Sequence, residues 1–178
     1  MPQTKPPKES ATPDTHSTAQ VSLAPFAEAD FQSWFDHCTE EYAKDKQKTF
    51  GCTLEAARTF AQSSMQCALA DGLQTKDNHF FKVIDEKGDR IGAIWIAAQT
   101  QFNQKSAFIY DIEIEENERG KGYGRAAMLA LEAEVAQMGF PSIGLHVFAF
   151  NERAFALYQS LGFEVTDYTM RKKIQPQN

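Results

Sequence analysis

Seven consecutive residues, Arg119-Gly120-Lys121-Gly122-Tyr123-Gly124-Arg125, alternate glycines with cations and one aromatic ring, a composition that suits a diphosphate. The first N–H groups of a helix have no internal partner, and its dipole favours an anion beside them. Glycine lets the backbone close on such an anion with no Cβ in the way. Three phosphate-binding patterns compete for this turn. The P-loop, GxxxxGK followed by Ser or Thr, is absent. Gly122, Gly124 and Ala127 fill the GxGxxA form of the dinucleotide fingerprint. That fingerprint also needs an acidic residue about 20 positions on, to hold a ribose. Leu145, His146, Val147 and Phe148 occupy that region, and the remaining chain is too short for a second mononucleotide-binding half. A nucleotide-dependent oxidoreductase therefore loses its support.

The third pattern is Q/R-x-x-G-x-G/A, filled by Arg119, Gly122 and Gly124. It is followed by Asn151-Glu-Arg-Ala154-Phe-Ala-Leu157-Tyr158 and then Leu161-Gly162-Phe163. Residues 107–163 thus resemble the GNAT superfamily of N-acetyltransferases, in which N-x-x-A-x-x-L-Y precedes L-G-F at similar spacing. The resemblance implies acetyl-CoA as co-substrate and no metal. It places the pyrophosphate on N–H groups from Arg119 to Arg125, with Gly120, Lys121, Gly122, Tyr123 and Gly124 between them. It places the pantetheine arm in a gap between splayed strands, bonded like an added strand to the backbone of Ile112, Glu113 and Ile114. An N–H near Ile114 would polarise the thioester carbonyl, and Asn151 and Ala154 would line the coenzyme's other side. Tyr158 takes the place of the family's acid, a phenol that protonates the departing thiolate. Two bland roles compete with these. Asn151 also reads as a helix N-cap, and Tyr158 also lies on the apolar stripe of Ala154, Leu157 and Leu161.

Acyl transfer from a thioester also needs a base, because a protonated amine is no nucleophile. His146 lies five residues before Asn151, where some family members carry a glutamate, and an imidazole titrates in the right range. Glu113 points away from the face of Ile112 and Ile114 and could act through a water. Asp111 and Tyr110 are weaker alternatives.

The elements that position these residues follow from periodicity and punctuation. A short strand is expected at residues 21–23. A helix follows with Phe31, Trp34, Phe35, Cys38 and Tyr42 on one face. Thr53 is a plausible N-cap for a second helix that ends at Gly72. Strands read at residues 79–85, 90–98 and 107–114, the first two joined by the turn Glu86-Lys87-Gly88-Asp89. After the glycine turn, Met128, Leu131, Val135 and Met138 mark a helix closed by Gly139. A strand at 142–148, a helix at 151–161 and a last strand at 163–172 complete the order. The fold class is α/β of the α+β type. The resemblance implies a mixed, mostly antiparallel sheet of six or seven strands with a V-shaped splay, flanked by about four helices.

Composition bounds the rest. Residues 1–19 hold four prolines and no aromatic residue, so a disordered tail is expected there, followed by one domain over residues 20–178. A net charge of −6 argues against a nucleic-acid or anionic-membrane partner. Cys38, Cys52 and Cys67 form no CxxC pair, which fits a reducing cytoplasm. The family often pairs, so a homodimer is an expectation of the resemblance alone. The acceptor would be a small amine, an aminosugar or a peptide, enclosed by residues 26–73. Asp36, Glu40, Glu41 and Asp45 could attract its positive charge or simply form a solvated face. A non-catalytic acyl-CoA-binding module is the alternative, and it would tolerate loss of Tyr158, Glu113 and His146, all of which are present.

Overall fold

The computed structural model describes residues 19–101 and 103–174, so the expected N-terminal tail lies, but for Ala19, outside the described residues. Strand β1 (Val21–Pro25) leads into helix α1 (Glu28–Phe50). The Asp30 carboxylate accepts the Ala27 N–H at 2.7 Å to fix the start of α1. Gly51, at φ 66°, ends it and donates to Gln47 O at 2.7 Å. Helix α2 (Leu54–Ala68) has Thr53 as its cap, as its sequence position predicts, the hydroxyl accepting from Ala56 N at 3.2 Å. Ala43, Ala57 and Ala61 are buried where α1 meets α2, and their small side chains let the helices close up.

Strands β2 (Asn78–Asp85), β3 (Arg90–Gln101) and β4 (Gln104–Ile114) form an antiparallel meander. Helix α3 (Tyr123–Gln137) crosses over to β5 (Ile143–Leu145), which lies parallel to β4, and helix α4 (Glu152–Ser160) follows. The sheet order is β1-β2-β3-β4-β5. One face packs Ile94, Ile96 and Ile109 against Met128, Leu131 and Val135 of α3. The other packs Phe80 and Trp95 against Trp34 of α1 and Met65 of α2.

The fold class and the four helices agree with expectation, but the sheet has five strands among the described residues rather than six or seven. The strand expected at 142–148 shortens to Ile143–Leu145. The one expected at 163–172 is not a strand. Residues 164–174 are exposed, and Arg171 instead reaches the C-terminal end of α1, donating to Thr49 O at 2.9 Å. Alternation makes a segment able to form a strand, but a strand also needs a partner edge, and β5 offers only three residues.

Within β4 the pairing skips one residue. Trp95 faces Asp111 and Ile96 faces Ile109, which leaves Tyr110 as an extra residue in a β-bulge. Tyr110 stacks on Trp95 with ring centres 4.6 Å apart. Asp111, the next residue, is bonded to Trp34 on the same face. Ile112 and Ile114 consequently turn to the α3 side while Glu113 reaches α1.

Gly92 of β3 lies against this part of β4. A Cβ there would come 2.3 Å from Glu113 O and 3.1 Å from Ile114 Cδ1. Gly92→Ala is therefore expected to destabilise the fold by roughly 1–3 kcal/mol, the usual range for overpacking, read as a lower urea midpoint.

Candidate active site

Two glycines shape the turn before α3, Gly120 at φ 87° and Gly122 at φ 91°, a region that L side chains enter only with strain. The N–H groups of Gly120, Lys121, Gly122, Tyr123 and Gly124 find no internal acceptor among the described residues. The turn therefore presents a run of free donors at a helix N-terminus. Gly124 lies beside α4, where a Cβ would meet Leu157 Cδ2 at 3.5 Å, an ordinary van der Waals contact.

The cations of this turn are engaged differently from what their sequence suggests. Arg119 turns inward, Nε donating to Ile114 O and Nη2 to Glu113 Oε1, both at 2.8 Å. Lys121 pairs with Glu118 at 2.9 Å. Arg125 donates to Ser160 Oγ at 2.9 Å and so ties α3 to α4. An anion here would meet backbone N–H groups first. Arg153, which sequence reasoning passed over, brings its Nη2 to 3.9 Å from where a Gly120 Cβ would stand.

From this turn an open edge leads along β4. Pairing with β5 stops at Ile109–Leu145. Residues 110–114 have β3 on one side and no strand on the other among the described residues. Ile112, Glu113 and Ile114 lie along that edge, within the expected splay.

On the α1 side, Trp34, His37, Cys38 and Glu41 recur at helical spacing towards the acids of β4. Trp34 Nε1 donates to Asp111 Oδ2 at 3.0 Å, and the Cys38 thiol stands beside the same carboxyl. Burial pushes Asp111 up to about 6, with the negative charge of Glu113 adding to the shift and the Trp34 bond opposing it. Burial likewise pushes the Cys38 thiol up, so it stays protonated and inert. Glu113 is held from two sides, by Arg119 at Oε1 and by His37 Nε2 at 2.7 Å from Oε2. A carboxylate oxygen accepts, so His37 Nε2 is the donor of this bond and Nδ1 stands outside it. Sequence reasoning missed His37 because its partner lies 76 residues away, although its place three after Trp34 and one before Cys38 puts it on their face.

Tyr158 projects from α4 onto the α3-side core, its ring 5.7 Å from that of Phe163. Burial raises its phenol, and the charge of Asp111 adds to the effect, so the hydroxyl keeps its proton at neutral pH. Asn151 caps α4, accepting from Ala154 N at 3.2 Å. His146 lies just past β5 and is exposed, its ring edge-to-face with Phe148 at 5.1 Å. The structure thus joins Glu113, Asp111 and Arg119 with His37, and leaves His146 outside that network.

A cleft of about 720 Å³ opens over this network, with Trp34, His37, Glu41, Gly92, Glu113 and Arg119 in its walls. No cluster of metal-ligating side chains occurs, and no helix is long and apolar enough to cross a membrane, among the described residues.

Comparison with known proteins finds relatives over most of the chain. A model of the acetyltransferase (GNAT) family matches residues 31–163. The chain is 35% identical over 154 residues to the uncharacterized N-acetyltransferase YycN of Bacillus subtilis, covering 86% of this chain and 99% of that protein. It is 29% identical to the uncharacterized N-acetyltransferase YdgE of the same organism, covering 86% and 98%. The crystal structure of the putative acetyltransferase YycN superposes with a TM-score of 0.84 at 34% identity, over 88% of this chain and 100% of that one.

Asp111 gives the site a pH signature independent of any ligand. Its folded-state pKa of about 6 lies above the ordinary 3.8, so its contribution is complete below that ordinary value and is lost as pH rises through about 6. Asp111→Asn removes this dependence while keeping an acceptor for Trp34. Relative to the variant, the wild type is expected to lose about 2 kcal/mol of stability between pH 4 and pH 7, measured by urea titration.

Proposed function

The chain belongs to the acetyltransferase (GNAT) family and is an acyltransferase, and from that premise we propose that it moves the acetyl group of acetyl-CoA to a primary amine by direct attack in a ternary complex. The observation that carries the coenzyme is the run of free N–H groups from Gly120 to Gly124, continuous with the open edge of β4. The thioester supplies an activated acetyl group, and the chain's residues bind, orient and move protons. The free donors suit the pyrophosphate, and the backbone of Ile112, Glu113 and Ile114 suits the pantetheine amides. A backbone N–H near Ile114 would meet the negative charge that develops on the carbonyl oxygen.

Arg119, engaged with Glu113 and Ile114 O, shapes the turn rather than contributing a free cation. Asn151 and Ala154 place α4, and Leu157 of α4 lies beside Gly124 of the turn. Tyr158 keeps its proton and serves as the acid for the departing thiolate. Both Glu113 oxygens are engaged, so its role as base passes through His37, whose Nδ1 takes the proton of the incoming ammonium. His146, exposed and unbonded to any of these groups among the described residues, is the competing base.

Release of coenzyme-A thiol in the presence of an amine panel tests the reading, and a protein that fails to bind acetyl-CoA overturns it. Tyr158→Phe is expected to lower kcat about 100-fold with little change in acetyl-CoA affinity, the scale of a lost general acid. His37→Gln and Glu113→Gln should each displace the limb of the pH–rate profile that reports the base, while His146→Gln leaves it in place. A displaced limb for His146→Gln alone would transfer the role.

A further inference from the structure

The cleft over Glu113 and His37 holds a second guanidinium that the acetyl-transfer chemistry does not use. Arg90, at the start of β3, lines the same cleft as His37 and Glu113. Its guanidinium lies over the Phe26 ring, 5.4 Å from the ring centre. Arg90 Nε is shut away from solvent without a hydrogen-bond partner, the one buried side-chain nitrogen or oxygen so placed among the described residues. Arg90 takes no part in any ion pair among those residues. Asp30 lies within its field, yet that carboxylate is already bonded to Lys82 at 2.9 Å and to the Ala27 N–H at 2.7 Å. The two terminal nitrogens are not shut away as Nε is and make no hydrogen bond among the described residues, so they are the donors that a charged ligand in the cleft can meet.

We propose that Arg90 binds the carboxylate of the acceptor, so that the substrate is a small amine that also carries a carboxyl group, as an amino acid or short peptide does. The inference rests on the acetyltransferase reading above and names its acceptor class. A guanidinium presents a planar fork of N–H donors that matches a carboxylate and is poorly replaced by an ammonium. The remaining walls select against a more strongly charged anion. Glu41, Glu113, Glu115 and Glu116 stand against two guanidiniums, of which Arg119 is engaged with Glu113. A phosphate dianion would meet that excess of carboxylates, whereas an ammonium carboxylate brings no net charge and satisfies both signs. Position agrees as well. Ala93 pairs with Glu113 across the β3–β4 ladder, and Arg90 lies three residues along β3. That is about 10 Å of strand, and two long side chains narrow it towards the dimensions of one small molecule.

The test uses the full chain with acetyl-CoA and pairs of amines that differ only in the carboxyl group. The pairs are lysine with cadaverine, ornithine with putrescine, alanine with ethylamine, and alanyl-alanine with its C-terminal amide. For at least one pair the carboxylate-bearing member is expected to show at least tenfold higher kcat/KM. Arg90→Gln should erase that preference by raising KM for this member, leaving the carboxylate-free amine unchanged as the internal control for folding. Arg90→Lys, which keeps charge and loses the fork, should recover only part of it. Equal or better use of the carboxylate-free partner in every pair overturns the inference, as does an equal loss on both members in Arg90→Gln. Acetyl-CoA binding with no turnover of any amine in the set overturns the acceptor class and leaves the coenzyme reading intact. Failure to bind acetyl-CoA at all removes the acetyltransferase reading itself.

Discussion

A β-strand sends alternate side chains to opposite faces, and β4 breaks that alternation once, at Tyr110. The rest of the site depends on this extra residue. Ile109 belongs to the core under α3, and Tyr110 stacks on Trp95 on the other side. Without the bulge, the next residue on the α3 side would be Asp111, and Glu113 would follow it into an apolar core. With the bulge, Ile112 and Ile114 fill that core and both acids face α1. A shift of one residue in a pleated strand changes the face of everything after it. Here it separates the chemistry from the packing.

Two carboxyl groups brought together on one partly buried face must be managed, and α1 does this with a stripe of donors. Trp34 serves Asp111 and His37 serves Glu113. Asp111, more deeply desolvated and beside a second acid, is pushed towards neutrality, while Glu113 is paired with Arg119. The same Arg119 stands at the edge of the glycine turn, so one guanidinium connects that turn with the cleft. The partners of Glu113 come from α1 and from the turn, and its geometry therefore depends on both.

The glycine turn shows how the same residues can serve different purposes from those their charges suggest. Arg119, Lys121 and Arg125 are bonded to Glu113, Glu118 and Ser160. The turn's remaining attraction for an anion is the backbone, whose donors are aimed by two left-handed glycines and by the α3 dipole. Backbone donors cannot swing away or be neutralised by a rotamer change, which makes them a firmer cradle than flexible lysines.

Much of this was legible in the sequence because it depends on local signals. Glycine at positive φ, Thr53 and Asn151 as caps, and apolar stripes at helical period act over a few residues and do not need the rest of the chain. The order of elements and the family pattern of residues 107–163 are of that kind. The bulge at Tyr110, the partnership of His37 with Glu113 and the unpaired Arg90 are not, because each depends on strands and helices distant in the chain meeting in one register. The last expected strand failed for the same reason, since alternation is a property of a segment and pairing is a property of two. The sequence by itself determined that a glycine-rich turn precedes a helix. Tertiary structure alone decided which charges would be free to use it, because a side chain's charge is spent on whichever partner the fold brings within reach.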